Sequence, residues 1–168
     1  MGHMMKQDNR LTRQIARLSR LPAGDRLTTL ALRQSVPFLG SAGVRFVEAG
    51  QDHVTLALRN RRRVRNHIRG VHACAAALLA EATSGLALAL ELPDDRLILL
   101  TRMEIDYVGR MQGGLVATAR LAADTRAQVM SDPRGEATIE VEIRDDADSV
   151  PLFPRLTWAW RPKKRRAA

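Results

Sequence analysis

Cysteine occurs once in the 168 residues, at Cys74, and the rings amount to three Phe, two Trp and one Tyr. A single thiol excludes an intramolecular disulfide framework and fits a reducing compartment, so a cytoplasmic protein is expected. The lone Cys and the four His form no cluster with ligand spacing, and no carboxylate pair argues for a metal. With so few rings, Ala and Leu supply most of the 45% hydrophobic fraction, which predicts a core of closely packed small side chains. This length fits one domain. The first thirty residues are too rich in Arg and polar groups for a signal peptide. Residues 1–4 (MGHM) read as a vector-derived leader and are left out of fold reasoning.

Long apolar runs are equally scarce, and the one present is informative. Residues 73–90 read ACAAALLAEATSGLALAL, with Glu81 as the only ionisable side chain apart from Cys74. The run approaches the length of a bilayer span. Alanine is only weakly hydrophobic, however, Glu81 interrupts the middle, and Thr83-Ser84-Gly85 follows, so a buried core helix is the better reading. Such a helix wants burial on most of its circumference. An unpaired carboxylate there costs several kcal/mol or has its pKa raised. Asn66 and His72 lie just upstream, and the three together point to a site built around one helix.

Acidic residues number 18 against 27 basic ones, a net charge of +9. Arg59, Arg61, Arg62, Arg63, Arg65 and Arg69 crowd one segment, and Lys163, Lys164, Arg165 and Arg166 lie near the end. Such clusters attract phosphates of any kind, nucleic acid included. No zinc-finger pattern and no helix with a base-reading face is present. The tail reads as a solvated end.

Along the chain, Leu11, Ile15 and Leu18 follow helical spacing, Pro22-Ala23-Gly24 breaks the run, and a second short helix passes through Leu27, Leu30 and Ala31 to end at Val36-Pro37. Val44, Phe46 and Glu48 alternate in a first strand, and Val54, Leu56 and Leu58 in a second. Residues 60–71 form an arginine-rich connection to the apolar helix. Four strands then follow: 98–108, 115–122, one around 138–143, and a last one in which Leu156, Trp158 and Trp160 share a face. One helix cannot cover both faces of a sheet, so largely antiparallel strands joined by hairpins are expected, curled around that helix. The segments are thus a leader (1–4), a helical lead-in (5–35), the main domain (36–161) and a basic tail (162–168).

This order, and the spacing of Asn66, five residues, His72-Ala73-Cys74, six residues and Glu81, resembles the hotdog-fold thioesterases, in particular the phenylacetyl-CoA and hydroxybenzoyl-CoA branch. The segment MEIDYVG around Tyr107 is similar to the family's third strand. The resemblance covers roughly residues 36–160. It implies an α+β fold of about six strands around one central helix, and hydrolysis of an acyl-CoA thioester. Coenzyme A would enter as part of the substrate, with no other cofactor. It also implies homodimers, often paired into tetramers. The family's Gly-Gly after the His is Ala73-Cys74 here. In the family the first of those N–H groups polarises the thioester carbonyl; Ala73 keeps the N–H, at a helix start that favours negative charge, but a methyl and a thiol now crowd the approach.

Helix geometry adds a constraint of its own. From Ala73 to Glu81 a helix rises about 12 Å, so Ala73 N–H and Glu81 of one chain cannot both touch one thioester carbon. Acting together, they must come from two chains in a dimer with antiparallel central helices. Glu81 is then the general base or nucleophile, and Ala73 N–H stabilises the oxyanion. By the resemblance, Asn66 positions the water or the carbonyl. His72 organises the loop, and Thr101 is a further candidate on the third strand. Arg62, Arg63, Arg65 and Arg69 are candidates for the coenzyme A phosphates. A non-catalytic acyl-CoA sensor on the same fold is the alternative reading, and a nucleic-acid-binding protein the third.

Overall fold

The computed structural model describes residues 8–163 of the chain. Three helices come first: α1 (Arg10–Ser19), α2 (Gly24–Ser35) and α3 (Pro37–Ala42). Strands β1 (Arg45–Ala49) and β2 (His53–Leu58) follow, then a single 3-10 turn at Arg62–Val64 and the apolar helix α4 (Ala73–Ala89). The remainder is β3 (Arg96–Tyr107), β4 (Leu115–Arg120), α5 (Ala123–Ser131), β5 (Gly135–Asp145) and β6 (Leu152–Pro162). The leader, residues 5–7 and the tail from residue 164 onward lie outside the described residues.

Two helices were not legible in the sequence. Val36-Pro37 does end α2, but Pro37 also opens α3 at a first-turn position, where its missing N–H is harmless and its fixed φ suits a helix. α5 shows no clear apolar stripe; it carries the connection from β4 to β5 and buries Val129 alone.

The sheet has six antiparallel strands in the order β1-β2-β4-β5-β6-β3. Strand number, antiparallel sense and the single central helix are those of a hotdog fold. The expectation of hairpins throughout is corrected. β3 does not pair with β4 but crosses to the far edge and runs along all of β6. Apolar matching accounts for this pairing, because Ile98 and Leu100 stand opposite Trp160 and Trp158.

Helix α4 lies in the curve of the sheet, chiefly over β2 and β4. Ala76, Leu79, Ala80, Thr83 and Leu88 are fully buried. The small residues allow close approach: a Cβ on Gly85 would sit 2.9 Å from the Trp158 ring. The Trp158 indole N–H donates to Ser84 Oγ at 3.0 Å, which satisfies a buried donor.

The lead-in is bonded to this unit. Asn9 is buried; its Oδ1 accepts from Thr12 N–H at 2.8 Å, capping α1. Its Nδ2 donates to the carbonyls of Ala89 at 3.0 Å and Leu92 at 2.8 Å. Thr12 Oγ1 donates to Leu90 O at 3.2 Å. The start of α1 thereby satisfies carbonyls that the end of α4 leaves unpaired. On the other side, Thr29 Oγ1 accepts from Phe46 N–H at 3.0 Å and Arg33 Nε donates to Val44 O at 2.9 Å, so α2 covers the free edge of β1. Among the described residues, no helix is long and apolar enough to cross a membrane.

Candidate active site

The start of α4 is built by two side chains. His72 is its N-cap, with extended backbone (φ −67°, ψ 140°), and its Nδ1 accepts from Cys74 N–H at 3.1 Å. The ring therefore serves the helix through an unprotonated Nδ1. From β3, the Tyr107 hydroxyl donates to Ala73 O at 2.9 Å and steadies the first turn. Burial, with the nearby Cys74 thiol, pushes the Tyr107 phenol above its ordinary value and keeps it a donor. Among the described residues nothing accepts from Ala73 N–H. The donor at the mouth of the helix dipole is thus available, while its Cys74 neighbour is occupied.

Glu81 stands about two turns further on, half-buried. Its carboxylate makes no hydrogen bond or ion pair among the described residues, and burial alone raises its pKa. The half-open stripe of α4 around it consists of Ala77, Leu78 and Ala82, with the exposed Cys74 one turn before. On β3, Met103 and Tyr107 face the α4 side of the sheet yet remain 38% and 45% exposed. Among the described residues, this side of the helix keeps part of its surface open.

The other expected residues divide. Asn66 Oδ1 accepts from the N–H groups of Ile68 at 3.1 Å and Gly70 at 3.0 Å, and its Nδ2 reaches Val71 O only at 3.5 Å. Its carbonyl is therefore committed to folding the 66–71 loop, and only the amide nitrogen remains for a ligand. Thr101 is not brought to the site, which corrects that expectation. Its hydroxyl donates to Glu136 at 3.2 Å and Thr157 O at 3.1 Å, on the face of the sheet away from α4. Residues 97–100 are apolar on both faces, so the sequence carries no phase from which Thr101 could be placed. Tyr107 was visible only as part of a strand; a hydroxyl at the inward end of a strand is the signal that marks it.

A cleft of about 280 Å³ opens beside the helix start. Phe38 of α3, 64% exposed, forms one wall, Ala75 and Leu78 of α4 the floor, and Arg63 and Arg65 the rim. Of the four arginines expected to bind phosphate, only these two line it; Arg62 and Arg69 are exposed and do not. Arg63 lies over Gly43, which needs φ +83° and whose missing Cβ leaves room for the guanidinium. Among the described residues, no group of three or more His, Cys, Asp or Glu is placed to hold a metal ion.

Solved structures share this architecture. Thioesterase HI1161 from Haemophilus influenzae is 17% identical, with 83% of this chain and 95% of that one covered at a TM-score of 0.68. Thioesterase PA1618 from Pseudomonas aeruginosa, as a point mutant, is 17% identical over 80% of this chain and 92% of that one, with a TM-score of 0.67. A mutant of thioesterase SAV0944 from Staphylococcus aureus is 16% identical over 76% and 100%, with a TM-score of 0.65. No curated protein matches in sequence. At these identities the likeness establishes the hotdog fold. A family model described as a domain of unknown function (DUF4442) matches residues 24–160, and the chain belongs to that family.

Proposed function

We propose that the protein is an acyl-CoA thioesterase, hydrolysing the thioester to free acid and coenzyme A. The observation that carries this reading is the pair of unclaimed groups on α4: a half-buried carboxylate without a partner, Glu81, and an uncommitted N–H, Ala73. Structures bearing the name thioesterase share the fold. Glu81 acts as general base on water or attacks the carbonyl itself. Ala73 N–H, at the positive end of the helix dipole, receives the developing oxyanion. His72 and Tyr107 hold that donor in place, and Asn66 shapes the loop that leads to it.

The same geometry argues for a two-chain site. Glu81 and Ala73 sit on one helix, too far apart for one carbon. The half-open stripe of α4 and the long edge strand β3 are surfaces that a second copy would cover. With the two α4 helices antiparallel, each Glu81 faces the partner's helix start.

The test is release of free thiol from a panel of medium-chain and aryl acyl-CoA substrates. Turnover is expected, and Glu81→Gln lowers kcat about 10²–10⁴-fold, the usual worth of a positioned proton acceptor. A panel giving no thiol above background would sink the reading.

A further inference from the structure

A second cleft is larger than the one beside the start of α4. It encloses about 510 Å³ on the face of the sheet away from α4, where β1, β2 and the start of β4 come together. Arg45, Arg59 and Arg65 line it, with the backbone of Gly114 and the side chains of Asn60 and Asp146. Asp146 is the only carboxylate there, and it already accepts Gly114 N–H at 2.6 Å. Arg45 Nε is buried and has no acceptor among the described residues. Burying a guanidinium N–H unpaired is costly, a feature Arg45 shares with Arg96 and Arg126; what sets Arg45 apart is that it lines a cleft with two further arginines.

The surroundings reinforce the charge. Among the described residues, none of Arg33, Arg45, Arg59, Arg61, Arg63 and Arg65 has a carboxylate within ion-pair distance. Burial, and then the charges of Arg63, Arg61 and Arg45, lower the Arg33 pKa. A field of one sign over a concave, largely polar cleft concentrates anions. Arg65 lines both this cleft and the apolar one walled by Phe38. Its Nε and one Nη are held by Asn60 at 2.9 and 3.1 Å, which fixes the guanidinium between the two.

We propose that the Arg45–Arg59–Arg65 cleft is a polyphosphate subsite. It takes the phosphate-bearing end of an elongated ligand whose thin uncharged arm passes Arg65, enters the Phe38 cleft and ends at Ala73 N–H. The assignment of the arm's reactive end rests on the thioesterase reading; the anion subsite rests on the arginines. The site thereby shifts from Arg62 and Arg69 to Arg45 and Arg59. Guanidinium forks converging on a small cleft suit two or three linked phosphates.

The test measures binding by titration calorimetry, with turnover followed separately. Probes are coenzyme A, its 3′-dephospho form, pantetheine and inorganic pyrophosphate. The variants are Arg59→Gln, Arg45→Gln/Arg59→Gln and, as a control on an exposed turn, Arg134→Gln. Circular dichroism checks folding, and Arg59→Gln, at an exposed position, keeps the test open if the double variant fails to fold. Coenzyme A binding is expected to weaken about tenfold or more in the double variant. Arg59→Gln should weaken it in the same direction. Pyrophosphate should compete with coenzyme A, and pantetheine binding and the control should be unchanged. Coenzyme A affinity within twofold of wild type in a folded variant overturns the subsite. So does equal loss for pantetheine, or an RNA or duplex DNA that binds through these arginines and is not displaced by coenzyme A. Turnover with an unchanged KM in the variants sinks the subsite and leaves the thioesterase reading intact. Arginine-dependent coenzyme A binding without turnover does the reverse.

Discussion

Glu81 is a carboxylate held where its charged form is penalised, and that has consequences for both stability and rate. Its pKa is raised by burial. Below the ordinary carboxylate value both folded and unfolded chains keep the proton, and Glu81 is neutral in its effect. As pH rises from that value to the raised one, the unfolded chain ionises first and stability falls; above the raised value the full penalty is present. Glu81→Gln should therefore raise the melting temperature at pH 8 and leave it nearly unchanged at pH 4, as differential scanning calorimetry would show. An equal shift at both pH values would mean that packing, not charge, is responsible. Turnover should follow the opposite direction, increasing with pH as the base ionises. At this scale the sequence was partly legible. An ionisable group in an uncharged helix is conspicuous, and the cap role of His72 follows from its place before the run. Asn66 was a different case: its residue type fits both a turn and a site, and only the hydrogen bonds from Ile68 and Gly70 decide.

At the scale of elements, α4 depends on what its two ends and its tightest contact receive. Asn9 supplies the carboxyl end with two donors from 80 and 83 residues away in sequence. Asn9→Ala should cost about 1–3 kcal/mol, since buried carbonyls lose their partners and α1 loses its cap. A urea titration with unchanged slope would register it, and a loss under about 0.3 kcal/mol would contradict the assignment. Gly85→Val should cost about 1–3 kcal/mol through collision with Trp158, with quenching or shift of the tryptophan fluorescence as the local sign. The long helix and the alternating strands were readable because period 3.6 and period 2 are strong signals. α3 was hidden behind a proline that both stops and starts a helix. The placement of β3 was hidden because pairing with β6 is a long-range choice, made by Trp158 and Trp160 and not by any turn beside it.

For the whole molecule, the proposed two-chain site makes a stoichiometric prediction. Ala73 follows a residue at ψ 140°, a conformation compatible with a following proline, and the first helical position tolerates proline well. Ala73→Pro should thus remove the oxyanion donor and keep the helix. Alone, Ala73→Pro and Glu81→Gln should each be inactive. Unfolded together and refolded as a mixture, they should regain about a quarter of wild-type activity, since half of randomly formed dimers are hybrids and each hybrid has one intact site. No recovery, or light scattering that reports a monomer at micromolar concentration, would remove the two-chain site. The curved antiparallel sheet around one helix was foreseeable from element order, whereas the arginine cleft was not. Arg45 and Arg59 are separated along the chain and line one cleft only after folding.

The tie between Asn9 and the far end of α4 also bears on how the chain acquires its shape. During synthesis the first helix emerges well before residues 89–92, so its receiving surface does not yet exist. The edge strand β3 must wait longer, since its partner β6 is made last. Both contacts close long loops, the kind that slow folding. The amino-terminal segment is thus poised to dock late, and a bulky fusion placed there should delay maturation more than it weakens the finished molecule.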